Sequence, residues 1–239
     1  MQRTYTETMK TTFPNHPVFH QVNCTESRDG SLDYRQTEAV KRYQPDIILL
    51  EYPVMGDRPE FPLNEFAALE KPADLVAKRT QDFPAEILKV DPWAAADTAM
   101  WREIAKSWSE GHQIYIYPTD GPHELLSEWR EVWEHMYPQA THNWVWWVQI
   151  YLRERLMANH ISWVMSKHAD MQKPIVNVYL QSFHWKHVKF LLGNPSKDEI
   201  YDYYFKRFAQ EITLAEIPEH IEKLNPIFYK YWQKYSDFR

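Results

Sequence analysis

Glu51 follows directly on Ile47-Ile48-Leu49-Leu50, which makes it the first residue to read for chemistry. Four consecutive aliphatic residues predict a strand buried on both faces, as in a parallel sheet covered by helices. Pro53 has no N–H and is expected to end the pairing. Open α/β sheets bind ligands at the carboxyl ends of their strands, where this carboxylate would lie. A charge held there beside the core needs a partner, because its desolvation is costly. The competing reading is a glutamate turned out to solvent.

Three further strand exits carry polar residues. Asn23, Cys24, Thr25 and Glu26 close a first strand over Pro17–Cys24, Asp120 follows Gln113–Tyr117, and His184 follows Pro174–Leu180. In an all-parallel sheet these exits share one edge, so Asn23 and Asp120 are expected to line a pocket with Glu51 and His184. An antiparallel third strand would carry Asp120 to the opposite side. Arg153 is an independent signal. Trp146, Ile150, Met157, Ile161 and Val164 recur at steps of three or four, and Arg153 falls within that stripe. An inward-facing guanidinium keeps its charge and requires a carboxylate or an anionic ligand; snorkelling, or a structural pair with Glu51, is the alternative. His160 lies seven residues on, roughly on the same face, as a further pocket candidate, although a lone helical histidine is more often structural.

His184 and His187 form H-x-x-H at a helix start. Two imidazoles bind a metal only with ligands from elsewhere, and the spacing is common by chance. Cys24 could act as a nucleophile with His184 as its base, against the commoner reading of a small buried cysteine. Trp144, Trp146 and Trp147 could line an apolar pocket or belong to the core.

Positioning these residues takes strands that alternate with helices. Helices are expected over about Leu32–Tyr43, Ala94–Glu110 with Gly111 as its left-handed stop, Pro122–Tyr137, Asn143–Met171 and His184–Leu192. Two more, Lys197–Ile212 and Ile217–Tyr235, end the chain. The fold class is therefore α/β: a mostly parallel sheet of about four or more strands flanked by helices, with additional C-terminal helices. The expected organisation is a loose polar segment over 1–16 and an α/β core over 17–195. A proline-rich excursion near 53–92, with a helix at Ala73–Gln81, interrupts the core. Helices over 196–239 are expected to pack on it.

Bulk properties narrow the function. The chain has 239 residues and only 5 glycines, with neither G-x-G-x-x-G nor a Walker A pattern, so the usual nucleotide-cradling loops are absent. A net charge of −6 argues against nucleic acid as a partner, since that affinity rests on neutralising phosphates. One cysteine precludes an internal disulfide. Met1–Lys10 is polar with no apolar run after it, and no apolar stretch approaches the length of about 20 residues that crosses a bilayer. The expectation is a cytoplasmic protein with a small-molecule substrate or ligand and no membrane partner.

Tyr151-Leu152-Arg153-Glu154-Arg155-Leu156-Met157-Ala158 stands some twenty residues before Pro174-Ile175-Val176-Asn177-Val178-Tyr179-Leu180-Gln181-Ser182-Phe183-His184. This resembles the C-terminal half of the superfamily of TraB/TIKI-type proteins, ChaN-like haem-binding proteins and erythromycin-esterase-like hydrolases. Those proteins carry an Arg-Glu-Arg-like helix, then a strand ending in G-x-x-H, and upstream a strand ending in Glu, like Ile47–Glu51. The resemblance spans roughly Val18–Leu192. It implies Glu51, His184 and Arg153 as catalytic residues of a hydrolase of small esters, amides or peptides, metal-assisted in some branches. His184 would serve as base or metal ligand, Glu51 would activate water or bind metal, and Arg153 would steady an oxyanion.

Two departures stand out. The family's first strand ends in a glycine motif with a histidine, where this chain has Gln21-Val22-Asn23-Cys24-Thr25-Glu26. Gln181 also replaces the glycine before His184. Glu26 or Asn23 would then stand in for the missing histidine, making Glu51, His184 and Glu26 the candidate ligands of a divalent metal. The alternative readings are a protein of the ChaN type binding haem or another aromatic ligand, with His184 axial, and a catalytically degenerate interaction domain.

Overall fold

The computed structural model describes residues 13–22, 35–54, 92–122, 124–129, 143–210 and 212–238. Asn23, Cys24, Thr25 and Glu26 lie outside them, as do nearly all of the proline-rich stretch with its expected helix and the second half of the helix expected over Pro122–Tyr137. Helix is present at 124–129. Contacts divide the chain into two compact units. The first comprises Met1–Glu51, Glu60–Pro118 and Val164–Trp185, and the second Tyr52–Pro59, Thr119–Trp163 and Lys186–Arg239.

The fold class is α/β. Four parallel strands, β1 (Val18–Gln21), β2 (Ile47–Val54), β3 (Tyr115–Pro122) and β4 (Ile175–Tyr179), form one sheet in the order β1-β4-β2-β3. β4 pairs with both β1 and β2, with Val18 opposite Ile175 on one side and Ile47 opposite Val176 on the other. The Ile47–Leu50 run is buried throughout, as a strand covered on both faces requires. Asp46 pins the amino edge: its N–H donates to the Ile175 carbonyl, its carboxylate accepts from the Ile175 N–H, and its carbonyl accepts from Tyr115.

Two strand ends depart from expectation. β2 continues through Pro53 to Val54, but its register with β4 ends at Leu50 opposite Tyr179, so the missing N–H removes no bond to β4. β3 runs on to Pro122, which puts Asp120 inside the strand and not beyond it. β3 is an edge strand, and an edge tolerates prolines such as Pro118 because one side of its backbone has no partner to lose.

In the first unit α1 (Arg35–Tyr43) packs on β4 and on α2 (Pro92–Ser109). α2 stops where the glycine signal placed it. Gly111 adopts φ +92°, its N–H bonds to the Trp108 carbonyl, and the His112 N–H reaches Ser107, the paired bonds of a Schellman stop.

α3 (Trp144–Lys167) is buried well beyond the single expected stripe, with Tyr151, Leu152, Leu156 and Met165 all shielded from solvent. α4 (Ser182–Leu192) follows β4. In the second unit Tyr151 is ringed by Tyr204, Phe205 and Trp232 at centroid distances of 5.1–5.8 Å. α5 (Lys197–Tyr204) opens with a Ser196/Glu199 capping box and gives way to a short 3-10 turn at Lys206–Phe208. The single helix expected over Ile217–Tyr235 is two helices, α6 (Ile217–Leu224) and α7 (Pro226–Tyr235). Asn225 is extended, as the residue before a proline prefers to be. Its side chain accepts from the Ile227 and Phe228 N–H groups, so Asn-Pro works as cap and first helical residue. No described helix is long and apolar enough to cross a membrane.

Candidate functional site

The candidate residues fall into two sets, one in each unit. In the first unit the carboxyl ends of β2 and β4 lie side by side, because Leu50 and Tyr179 are opposite each other. One residue on, β2 presents Glu51; β4 turns through Leu180 and Gln181 into α4, whose third residue is His184. Glu51 Oε2 accepts the Gln181 N–H at 2.8 Å, and Oε1 stands 3.8 Å from His184 Nε2. That gap is too long for a direct hydrogen bond and short enough for a bridging water. The His184 side chain is 6% exposed and that of Glu51 16%. Gln21 Nε2 donates to the Leu180 carbonyl, fastening the end of β1 to the same turn.

In the second unit Arg153 finds its carboxylate in Asp120. Its Nε donates to Oδ1 at 2.8 Å and its Nη2 to Oδ2 at 2.6 Å, a two-pronged pair with the side chains 15% and 3% exposed. The Asp120 Oδ1 also accepts the Gly121 N–H at 2.7 Å, and Trp129 lies 5.6 Å from the guanidinium carbon. His160 is buried with Nδ1 2.9 Å from the Thr119 carbonyl. Because a carbonyl only accepts, Nδ1 carries the proton there and Nε2 holds the lone pair of the neutral ring.

The second unit also holds a cluster that pattern reading did not single out. Glu154 is fully buried; its Oε2 accepts from the Tyr204 hydroxyl at 2.8 Å and lies 3.3 Å from His187 Nδ1. Burial, then Glu154, pushes the Tyr204 hydroxyl well above its ordinary range. A signal was available: Glu154 lies four residues after Ile150 and three before Met157, so the stripe admits it as readily as Arg153. Of the tryptophans, Trp146 packs on Trp129 at 4.8 Å, Trp144 on His220, and Trp147 beneath the Arg207 guanidinium at 3.6 Å.

Among the described residues four histidines titrate below their ordinary value of 6.5, burial being the largest cause in each: His20, His160, His168 and His187. Nearby Arg42 adds to the effect at His20, and Lys186 and Arg207 add to it at His187. The Thr119 carbonyl and Asp120 oppose it at His160, as Asp170 does at His168. Each group binds its proton less readily folded than unfolded, so its stabilisation is complete above 6.5 and lost as the pH falls below that value. The urea midpoint is expected to be lower at about pH 5.5 than at about pH 7.5. A midpoint that holds or rises on acidification would contradict this.

Glu51 and His184 are two of the three candidate metal donors, and the third, Glu26, lies outside the described residues. Among the described residues no group of three or more His, Cys, Asp or Glu could hold a metal ion. Comparison with protein-family models, curated proteins and solved structures finds no match to this chain.

Proposed function

We propose that this chain is a hydrolase of small esters, amides or peptides, with His184 as general base and Glu51 as its partner carboxylate. The observation that carries the reading is the approach of Glu51 Oε1 to His184 Nε2, at 3.8 Å, across the carboxyl ends of two neighbouring parallel strands. Carboxyl ends are where open α/β sheets hold ligands, and a carboxylate beside an imidazole favours the imidazolium that base catalysis creates.

The step is simple. His184 removes a proton from water as the water oxygen bonds to the substrate carbonyl carbon. The C–O or C–N bond then breaks, and the departing alcohol or amine takes that proton back from the imidazolium. Acid and alcohol or amine leave, and His184 returns to its neutral form. The Gln181 N–H holds one Glu51 oxygen, so the carboxylate keeps its direction through the cycle. Arg153 is assigned no step, because its Nε and Nη2 are engaged by Asp120. A cytoplasmic location and a small-molecule substrate belong to the same proposal, supported by the net charge of −6 and the single cysteine.

The test is turnover of chromogenic esters, anilides and short peptides by the full chain and by His184→Ala. Wild-type turnover should fall by about 10²–10⁴-fold in the variant. Equal rates in the two proteins, or no turnover of any substrate by the wild type, would overturn the proposal.

A further inference from the structure

Arg207 is held by rings and not by a carboxylate. Its guanidinium carbon lies 3.6 Å over the Trp147 ring and 4.9 Å from the Phe208 ring, while the residue itself is exposed. Other cations of the second unit are paired: Arg155 with Asp237, Lys206 with Asp202 and Lys223 with Glu219. Among the described residues no carboxylate pairs with Arg207, and none pairs with the exposed Lys186. A guanidinium with one face on an indole keeps its N–H groups in its own plane, with their direction already fixed.

The two cations meet at His187. Its imidazole stands 6.0 Å from the Trp147 ring that carries Arg207, and Lys186 precedes it in α4. After burial, Lys186 and then Arg207 hold its pKa down to about 4. Tyr203 meets the same imidazole edge-on, 5.4 Å away at 76°. It stacks one face on Phe190 at 4.2 Å and is 38% exposed. Phe190 comes one turn after Lys186, so that cation and these rings share a face of α4. Glu154 lies 3.3 Å from His187 Nδ1, fully buried and engaged by the Tyr204 hydroxyl. One carboxylate against two cations leaves a positive charge over.

We infer that this face of the second unit binds an aromatic oxyanion: its carboxylate or phosphate takes the Arg207 N–H edge and the Lys186 ammonium, and its ring packs on Tyr203. The guanidinium fork matches two oxygens of either group, and Trp147 has set its plane beforehand. The exposed tyrosine ring gives the aryl part apolar surface to cover. A bare inorganic ion would leave that ring uncovered, and an uncharged aromatic would leave the cations uncompensated. The site draws on neither Glu51 nor His184, so it is independent of the hydrolase proposal.

Calorimetry on the full chain at fixed ionic strength tests this with phenyl phosphate and benzoate, each beside its ringless counterpart, methyl phosphate and acetate. The aryl probes should bind more tightly than their counterparts, and the tighter of the two names the oxyanion. Arg207→Lys keeps the charge and loses the fork. It should weaken binding by about 10-fold or more, the scale of a hydrogen bond to a charged group. Tyr203→Ala should narrow the preference for the ring by about 3-fold or more. Lys223→Gln removes a charge elsewhere in the unit and should change nothing. Absence of binding, no preference for the ring, full affinity in Arg207→Lys, or equal losses in Arg207→Gln and Lys223→Gln would each overturn the inference. Where the Arg207 variants do not fold, Lys186→Gln decides: weakened binding of the aryl probes upholds the site, and wild-type affinity ends it.

Discussion

Glu51→Gln is expected to lower kcat by about 10²–10⁴-fold while leaving the fold in place. Glutamine keeps the size of the side chain and a carbonyl oxygen that can still accept the Gln181 N–H, so the turn between β4 and α4 loses no bond. What disappears is the negative charge 3.8 Å from His184 Nε2, the charge that favours the imidazolium formed when water is deprotonated. Turnover and thermal denaturation measured on the same preparation separate the two effects. Glu51→Asp adds a third reading, since it restores the charge on a shorter arm and should recover part of the rate. Full turnover in Glu51→Gln would reduce Glu51 to a clamp for the Gln181 N–H and remove it from the mechanism.

Arg153→Ala is expected to destabilise the protein by about 3–5 kcal/mol, the scale for removing one partner of a buried ion pair. Asp120 is 2% exposed, and without the guanidinium its carboxylate retains the Gly121 N–H and little else to offset its burial. Arg153→Lys should recover only part of the loss, because an ammonium cannot reproduce the two parallel bonds from Nε and Nη2. The double variant Asp120→Ala/Arg153→Ala should be more stable than the sum of the two single losses predicts, since it leaves no charge behind. Chemical denaturation of all four proteins checks this. Strict additivity would mean that the two side chains are not energetically coupled.

The two predictions concern residues that were legible to different degrees. Glu51 and His184 could be named from local pattern, because Glu51 follows directly on an apolar run, His184 comes four residues after one, and the end of a buried parallel strand is a defined place in the fold. The Asn225-Pro226 break was written in plain residue types, yet the apolar periodicity runs through it and suggests one helix. Asp120 was expected past the end of its strand because the strand pattern stops at Tyr117, but the edge strand runs on through Pro118 to Pro122.

By itself the sequence determined the alternation of strands with helices, the burial of Ile47–Leu50, the stop at Gly111 and the presence of a charge within the α3 stripe. Each of these follows from interactions between residues a few positions apart, which a linear pattern records. Only the tertiary structure decided that Arg153 takes Asp120 as its carboxylate, that Glu154 is buried against Tyr204, and that Glu51 meets the Gln181 N–H and approaches His184. Those pairings join positions far apart in the chain. Strand register and helix rotation set which side chains come within a few ångströms of one another, and neither is encoded in the spacing of residues along any single element.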